Sequence, residues 1–262
     1  MIDKNFLALL VTLAIIAVLM LLMRKGVAWV ERWAQVKGAL PQGSNPQGVT
    51  GPAHEVHYQT RPCAGRDAVA AWERAKGEGL GVPLIVVDAP QDGRWELSHS
   101  PQEILAEADT ITDPLPLLPL NRKAKPWPED VVPNMGPSIV QTYENGQMQF
   151  RPEIHIVFVP ARDATEIPAY LGLGGWNACP PAENMVAALR QWQKDYGAEL
   201  VAIGRDTMEL RVARRPATRE EALRLARQQA LFCSDVVEDT DDMLEELAAS
   251  LMISDWWFFW WD

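Results

Sequence analysis

Cysteine is scarce. Cys63, Cys179 and Cys233 are the only three in 262 residues, far apart and without a CxxC pair. An odd, scattered set argues against a disulfide framework and points to a reducing compartment. Histidine is scarce too, at four. His54 and His57 stand near Cys63, but a zinc centre needs a fourth ligand at metal spacing and none is there, so no metal is expected. G-x-S-x-G, G-x-x-x-x-G-K-[ST], H-E-x-x-H and dinucleotide fingerprints are all missing. Gly79 and Gly81 precede the apolar run VPLIVVD, the wrong order for a phosphate loop. No cofactor is expected, and no motif gives positive support to an enzymatic activity. Basic residues are lacking at the end: Cys233 to Asp262 hold nine acids and no Lys or Arg, and the net charge is -11. Such a surface repels phosphate backbones, so nucleic acid is not an expected partner.

What is present begins with an apolar run. Phe6 to Met23 reads FLALLVTLAIIAVLMLLM, without a charge. As a helix rising 1.5 Å per residue it reaches about 27 Å, enough to cross a bilayer's hydrocarbon core. It is longer than a signal-peptide core and runs into MRKGVAWVERW without a small-x-small site, so an uncleaved anchor is expected. Lys4 precedes it, and Arg24, Lys25, Arg32 and Lys37 follow. The positive flank predicts a single-pass protein of the bacterial inner membrane, with the folded part in the cytoplasm. Trp29 and Trp33 suit either the headgroup belt or packing on the folded domain. The expected layout is a tail at 1–5, an anchor at 6–23, and a juxtamembrane segment and flexible linker at 24–53. The soluble part divides into 54–150, with a proline-rich loop at 113–137, and a C-terminal domain at 151–262.

The soluble part alternates helix and strand signals. DAVAAWERAK (67–76) reads as a helix, and VPLIVVD (82–88) as a strand covered on both faces. PQEILAEA reads as a second helix. Seven prolines between Asp113 and Pro137 leave no room for regular structure. SIVQTYENGQMQF reads as a hairpin turning at Asn145-Gly146, and IHIVFV (154–159) as a strand. Cys179 to Tyr196 reads as a helix with Pro180 and Pro181 in its first turn and Met185, Leu189, Trp192 and Tyr196 inward. Two strands flank Gly204-Arg205-Asp206. Thr218 with Glu221 opens a further helix through a capping box, and a last helix follows Asp241 with Met243, Leu244, Leu247 and Leu251 inward. The sum is an α+β fold: a mixed sheet packed with helices, behind one N-terminal transmembrane helix.

Two stretches stand out. WWFFWW (256–261) alternates as a strand with both faces apolar, so burial on both sides is expected, with a membrane contact as the alternative. GLGGWNACPP (172–181) combines three glycines with Trp176, Asn177 and Cys179. It reads as a structural turn, or as a ligand or partner loop built from Gly174, Gly175, Trp176, Asn177 and Cys179. A helix start at Cys179 would lower its thiol pKa. A nucleophilic role would need a base, for which His155 is the candidate.

EIPAYLGLGGWNACPPAE, WQKDYGAELVAIGRDTMELRVARRPATREEALRLARQQALFC and LEELAASLMISDWWFFWWD carry a resemblance. From His155 to Asp262 the chain resembles the bacterial family of domain of unknown function 4253. The resemblance implies no reaction, cofactor or catalytic set. By analogy with small bacterial domains of toxin–immunity systems, the expectation is a membrane-anchored, non-catalytic module that binds a basic protein such as a toxin. The alternative is a small-ligand sensor using the GGWN loop, and a third reading is a cysteine-dependent enzyme.

Overall fold

Leu84, Ile85, Val86 and Val87 are all buried in succession, which is possible only where a sheet is covered on both faces. A computed structural model describes residues 54–261 apart from 88, 91–92, 117–124, 145–146 and 237–242. The expected anchor at 6–23, the segment 24–53 with Trp29 and Trp33, and the Asn145-Gly146 turn lie outside the described residues. Among the described residues no helix is long and apolar enough to cross a membrane.

In chain order the elements are β1 (His54–His57), β2 (Gln59–Cys63), α1 (Ala68–Ala75), β3 (Val82–Val86), β4 (Arg94–Leu97), α2 (Pro101–Ala108), β5 (Gln141–Glu144), β6 (Gln147–Phe150) and β7 (Ile154–Val159). Then follow α3 (Ile167–Leu171), α4 (Ala182–Tyr196), β8 (Glu199–Ile203), β9 (Thr207–Arg211), α5 (Arg219–Phe232), α6 (Leu244–Ile253) and β10 (Trp256–Trp260). Six strands form one sheet in the order β10-β9-β8-β3-β7-β2, while β1-β4 and β5-β6 are separate ribbons. Only β3 and β8 run parallel; the other neighbours are antiparallel. The fold is therefore α+β with a mixed sheet.

The strands alternate between two cores, as a period of two requires. Leu84, Val86, Val157, Val159, Leu200, Leu210, Trp257 and Phe259 face α4, α5 and α6. Ile85, Val87, Ile156, Phe158 and Trp256 face α1 and its Trp72. Val201 and Ala202 both join the second core, because the β8–β9 register shifts between Leu200 and Ala202 and Val201 is the extra residue. The Trp72 indole donates to the Pro83 carbonyl at 2.9 Å, so this buried aromatic is satisfied.

The helices follow their sequence signals. Ser100 and Glu103 form a complete capping box on α2. Thr218 accepts from the Glu221 amide on α5, while Glu221 reaches the amide of Ala217 at 2.8 Å. Gly197 ends α4 in the left-handed region, φ 62°. Two expectations shift. Ser138–Val140 is a 3-10 turn and not the start of a strand, because its first amides turn onto a buried carboxylate. Met243 precedes α6 and is exposed, while Leu244 and Leu251 are buried.

The terminal aromatics form an edge strand. Trp192 stacks on Phe259 at 5.5 Å and meets Trp257 and Phe232 edge-on at 5.7 and 5.0 Å. That face is fully covered. The other is not: Trp256 is buried, but Phe258 is 41% exposed and Trp260 is half-buried. The expectation of cover on both sides therefore holds in full for one face only, while on the other Trp256 alone is buried.

Candidate functional site

The loop after α3 is built largely by its own backbone. Gly172 ends α3 at φ 60°. Gly174 sits at φ 84°, where a Cβ would stand 1.9 Å from the Pro180 carbonyl, so only glycine fits. The Gly175 amide points at the carbonyls of Cys179 and Pro180, at 3.2 and 3.1 Å, and the Cys179 amide donates to Trp176 at 2.9 Å. Asn177 takes the left-handed conformation at φ 48°. Trp176 packs half-buried on the main core, and Asn177 is exposed. The structure thus brings Gly174, Gly175, Trp176, Asn177 and Cys179 into one closed turn.

Cys179 is not at the mouth of a helix. α4 starts at Ala182, and Pro181 before it is extended at φ -66°, ψ 159°. Each residue that precedes a proline is pushed away from the helical region. Cys179 and Pro180 both precede one, so the helix waits until both prolines have passed. The expected lowering of the thiol pKa is reversed: burial pushes Cys179 up to about 12. Cys233 is also buried and pushed up to about 11, and its thiol donates to the Trp260 carbonyl at 2.9 Å. Among the described residues Cys179 and His155 share no hydrogen bond, and the nearest charge to His155 is Glu153 at 4.0 Å. No group of three metal-binding side chains occurs among the described residues.

Two open clefts lie elsewhere. One, about 360 Å³, opens where β3 and β8 begin, beside Lys76, Asp163, Gln193 and Glu199. The other, about 470 Å³, lies between the β1–β4 ribbon and α2, beside His54, Glu55, Tyr58, Gln102 and Tyr170. Neither is lined by residues 172–180.

Sequence patterns gave no sign of three buried glutamates. Glu166 accepts from Arg162 Nε at 2.6 Å and lies 3.9 Å from Arg190. Glu209, 2% exposed in mid-β9, accepts from the Ser138 amide at 3.0 Å, the Ser138 hydroxyl at 2.6 Å and the Ile139 amide at 3.0 Å. Burial raises its pKa above the ordinary value of 4.5, against the pull of those donors. Glu245 on α6 accepts from the Lys125 amide at 3.1 Å. Between these two anchors Asn134 bonds the Ser254 hydroxyl at 2.9 Å and the Trp256 carbonyl at 3.3 Å. The Arg219 guanidinium lies 4.8 Å from the centre of the Trp127 ring. The second described part of the proline-rich segment, 125–137, is therefore a strap fixed along the β9–β10 side of the sheet, and it delivers the chain to the β5–β6 ribbon.

The family model described as Domain of unknown function (DUF4253) matches residues 155–262. The match takes in β8, β9, β10 and most of β7, but not β3, which lies between β7 and β8. No curated protein and no solved structure matches the chain.

Proposed function

We propose that the protein is a membrane-anchored, non-catalytic module that binds a basic protein, in the manner of an immunity protein that neutralises a toxin. The anchor is the apolar run 6–23, which would place the protein in the bacterial inner membrane as a single-pass chain. Its basic flank would set the DUF4253 domain in the cytoplasm. The observation that carries the reading is the distribution of charge. Acids outnumber Lys and Arg by 35 to 24, and much of the positive charge is spent within the fold. Arg61 pairs with Glu78, Arg190 with Asp109, Arg211 with Glu73, Arg214 with Glu221 and Arg215 with Asp255. The acids left over give an acidic surface, which speeds encounter with a basic partner.

The test is co-purification of the full chain from its native membranes in mild detergent, at low and then raised salt. A stoichiometric basic protein that leaves as salt rises is the expected result. An acidic partner, or none at either salt level, overturns the reading. The small-ligand alternative draws on Trp176 and the exposed Asn177. A metabolite-induced thermal shift lost in Trp176→Ala, with the melting temperature of the free protein unchanged, would favour it.

A further inference from the structure

Three of the strand edges among the described residues are treated differently. A bare edge is a template for another chain, and proteins blunt it with proline, charge or cover. β2 closes one side of the main sheet and carries Pro62, with Arg61 lying 5.1 Å from the centre of the Phe158 ring. β10 closes the other, and there the carbonyls of Trp256 and Trp260 are taken by Asn134 and Cys233. β6, Gln147-Met148-Gln149-Phe150, has neither proline nor charge and is exposed along its whole length. Among the described residues it pairs with β5 alone.

The ribbon is nonetheless held firmly at its base. The Arg151 amide donates to Val140 at 2.9 Å and its Nε to Ile139 at 2.9 Å, while the Gly65 amide donates to the Arg151 carbonyl at 3.0 Å. Gly65 is required there, because a Cβ would stand 2.5 Å from the Val140 carbonyl. The register pairs Tyr143 with Met148 and Gln141 with Phe150, which puts Tyr143, Met148 and Phe150 on one face. They are 68%, 59% and 52% exposed. Val132 and Met135 on the strap that leads in are more exposed still. Exposed apolar side chains that share one strand face, as Tyr143, Met148 and Phe150 do, mark an interaction surface. Acids prevail around it: residues 126–150 contain Glu129, Asp130 and Glu144 and no Lys or Arg, and Arg151 just beyond is turned onto the Ile139 carbonyl.

Resting on the protein-binding reading above, we infer that β6 is the docking edge, and that it takes an extended basic segment of the partner as a third strand. Main-chain hydrogen bonds along β6 supply affinity, and alternate apolar residues of the segment pack beside Met148 and Phe150. Lys or Arg of the segment meet Glu144 and the acids of the strap. An anionic bilayer is a poor occupant, because Glu129, Asp130 and Glu144 would face its headgroups and the neighbouring Arg151 is engaged with the Ile139 carbonyl. A second copy is equally poor, because it would bring two acidic rims together.

The test uses the full chain in detergent and a random peptide library. Selected peptides are expected to alternate apolar residues with Lys or Arg, to weaken with salt, and to lose binding when their backbone amides are N-methylated. Bound peptide should slow hydrogen exchange at 147–150. Met148→Lys should weaken binding about tenfold or more, with the melting temperature unchanged, whereas Leu231→Lys on α5 should have no effect. Peptides that bind Met148→Lys as well as the parent overturn this edge and leave the protein-binding reading standing. An empty selection beside a salt-sensitive partner in co-purification overturns strand addition alone. A dimer abolished by Met148→Lys assigns the edge to a second copy. Slowed exchange at 147–150 in phosphatidylglycerol-containing nanodiscs without peptide assigns it to the bilayer. Either result overturns the basic-segment inference.

Discussion

The loop at 172–180 and the strap at 125–139 are both rich in residues that break regular structure, yet they are held by opposite means. The loop bonds to itself: Gly175 to Cys179 and Pro180, and Cys179 to Trp176. The strap bonds to distant residues: Glu245 takes its start and Glu209 its end. A self-bonded turn fails through its own backbone. A strap fails when a remote anchor is lost, and it alone inherits that anchor's pH dependence.

The strongest way to break the comparison is to cut the chain at residue 155. This keeps the loop whole and removes the strap together with β2 and β3. Because β3 lies between β7 and β8, residues 155–262 alone are expected to show no cooperative thermal transition; a sharp melt would show that the matched segment is self-sufficient. Next in size is Gly174→Ala, which combines a left-handed backbone with a direct overlap on Pro180. It should cost about 3 kcal/mol or more by chemical denaturation. Gly175→Ala, at φ 76° with open space around it, should cost only about 1 kcal/mol. Equal losses would mean that the overlap relaxes.

Glu209→Ala should cost about 2 kcal/mol, since the buried Ile139 amide and the two Ser138 donors lose their acceptor. Hydrogen exchange should speed at 138–139 and stay unchanged at 173–179. The smallest effect is the pH profile. Glu209 holds its proton more tightly folded than unfolded, so its contribution falls as pH rises through the window above 4.5. The stability advantage of the parent over Glu209→Gln should therefore shrink with rising pH. A gap that widens would mean that the donors outweigh burial. Glu78, Glu103, Glu221 and Asp255 have lowered pKa values through hydrogen bonds, so their contribution is lost as pH falls through the acid range. The comparison with the variant separates Glu209 from that background.

Local pattern made much of the fold legible. The unbroken apolar run at 82–86, the Met185-Leu189-Trp192-Tyr196 stripe and the glycine after it need only periodicity and steric preference. Asymmetry of burial is a different matter. Phe258 and Phe259 are adjacent and chemically identical, and only the sheet order reveals that one lies outside. Glu209 in MELRV reads as a solvent-facing position, and its partners lie some 70 residues earlier, beyond reach of any local rule. Gly174, Gly175, Trp176, Asn177 and Cys179 share one turn because they are neighbours along the chain. The state of Cys179 was misjudged because two prolines can open a helix or hold it off, and the choice depends on the chain before them. The capping box at Ser100 and Glu103 obeys the S-x-x-E spacing and was open to a closer reading.

The single parallel seam has a consequence for how the molecule comes apart. On one side β3, β7 and β2 make an antiparallel leaf; on the other β8, β9 and β10 make a second. The leaves meet through Ile85 opposite Ala202 and Val86 opposite Ile203, with the Val87 amide donating to the Ile203 carbonyl. A force applied across the sheet would load this short border before either leaf, and the two leaves are natural units of partial opening. The border of the DUF4253 match does not follow it: residue 155 lies inside β7, in the first leaf. A cut at that border would therefore part β7 from β2 and β3, the two strands it pairs with.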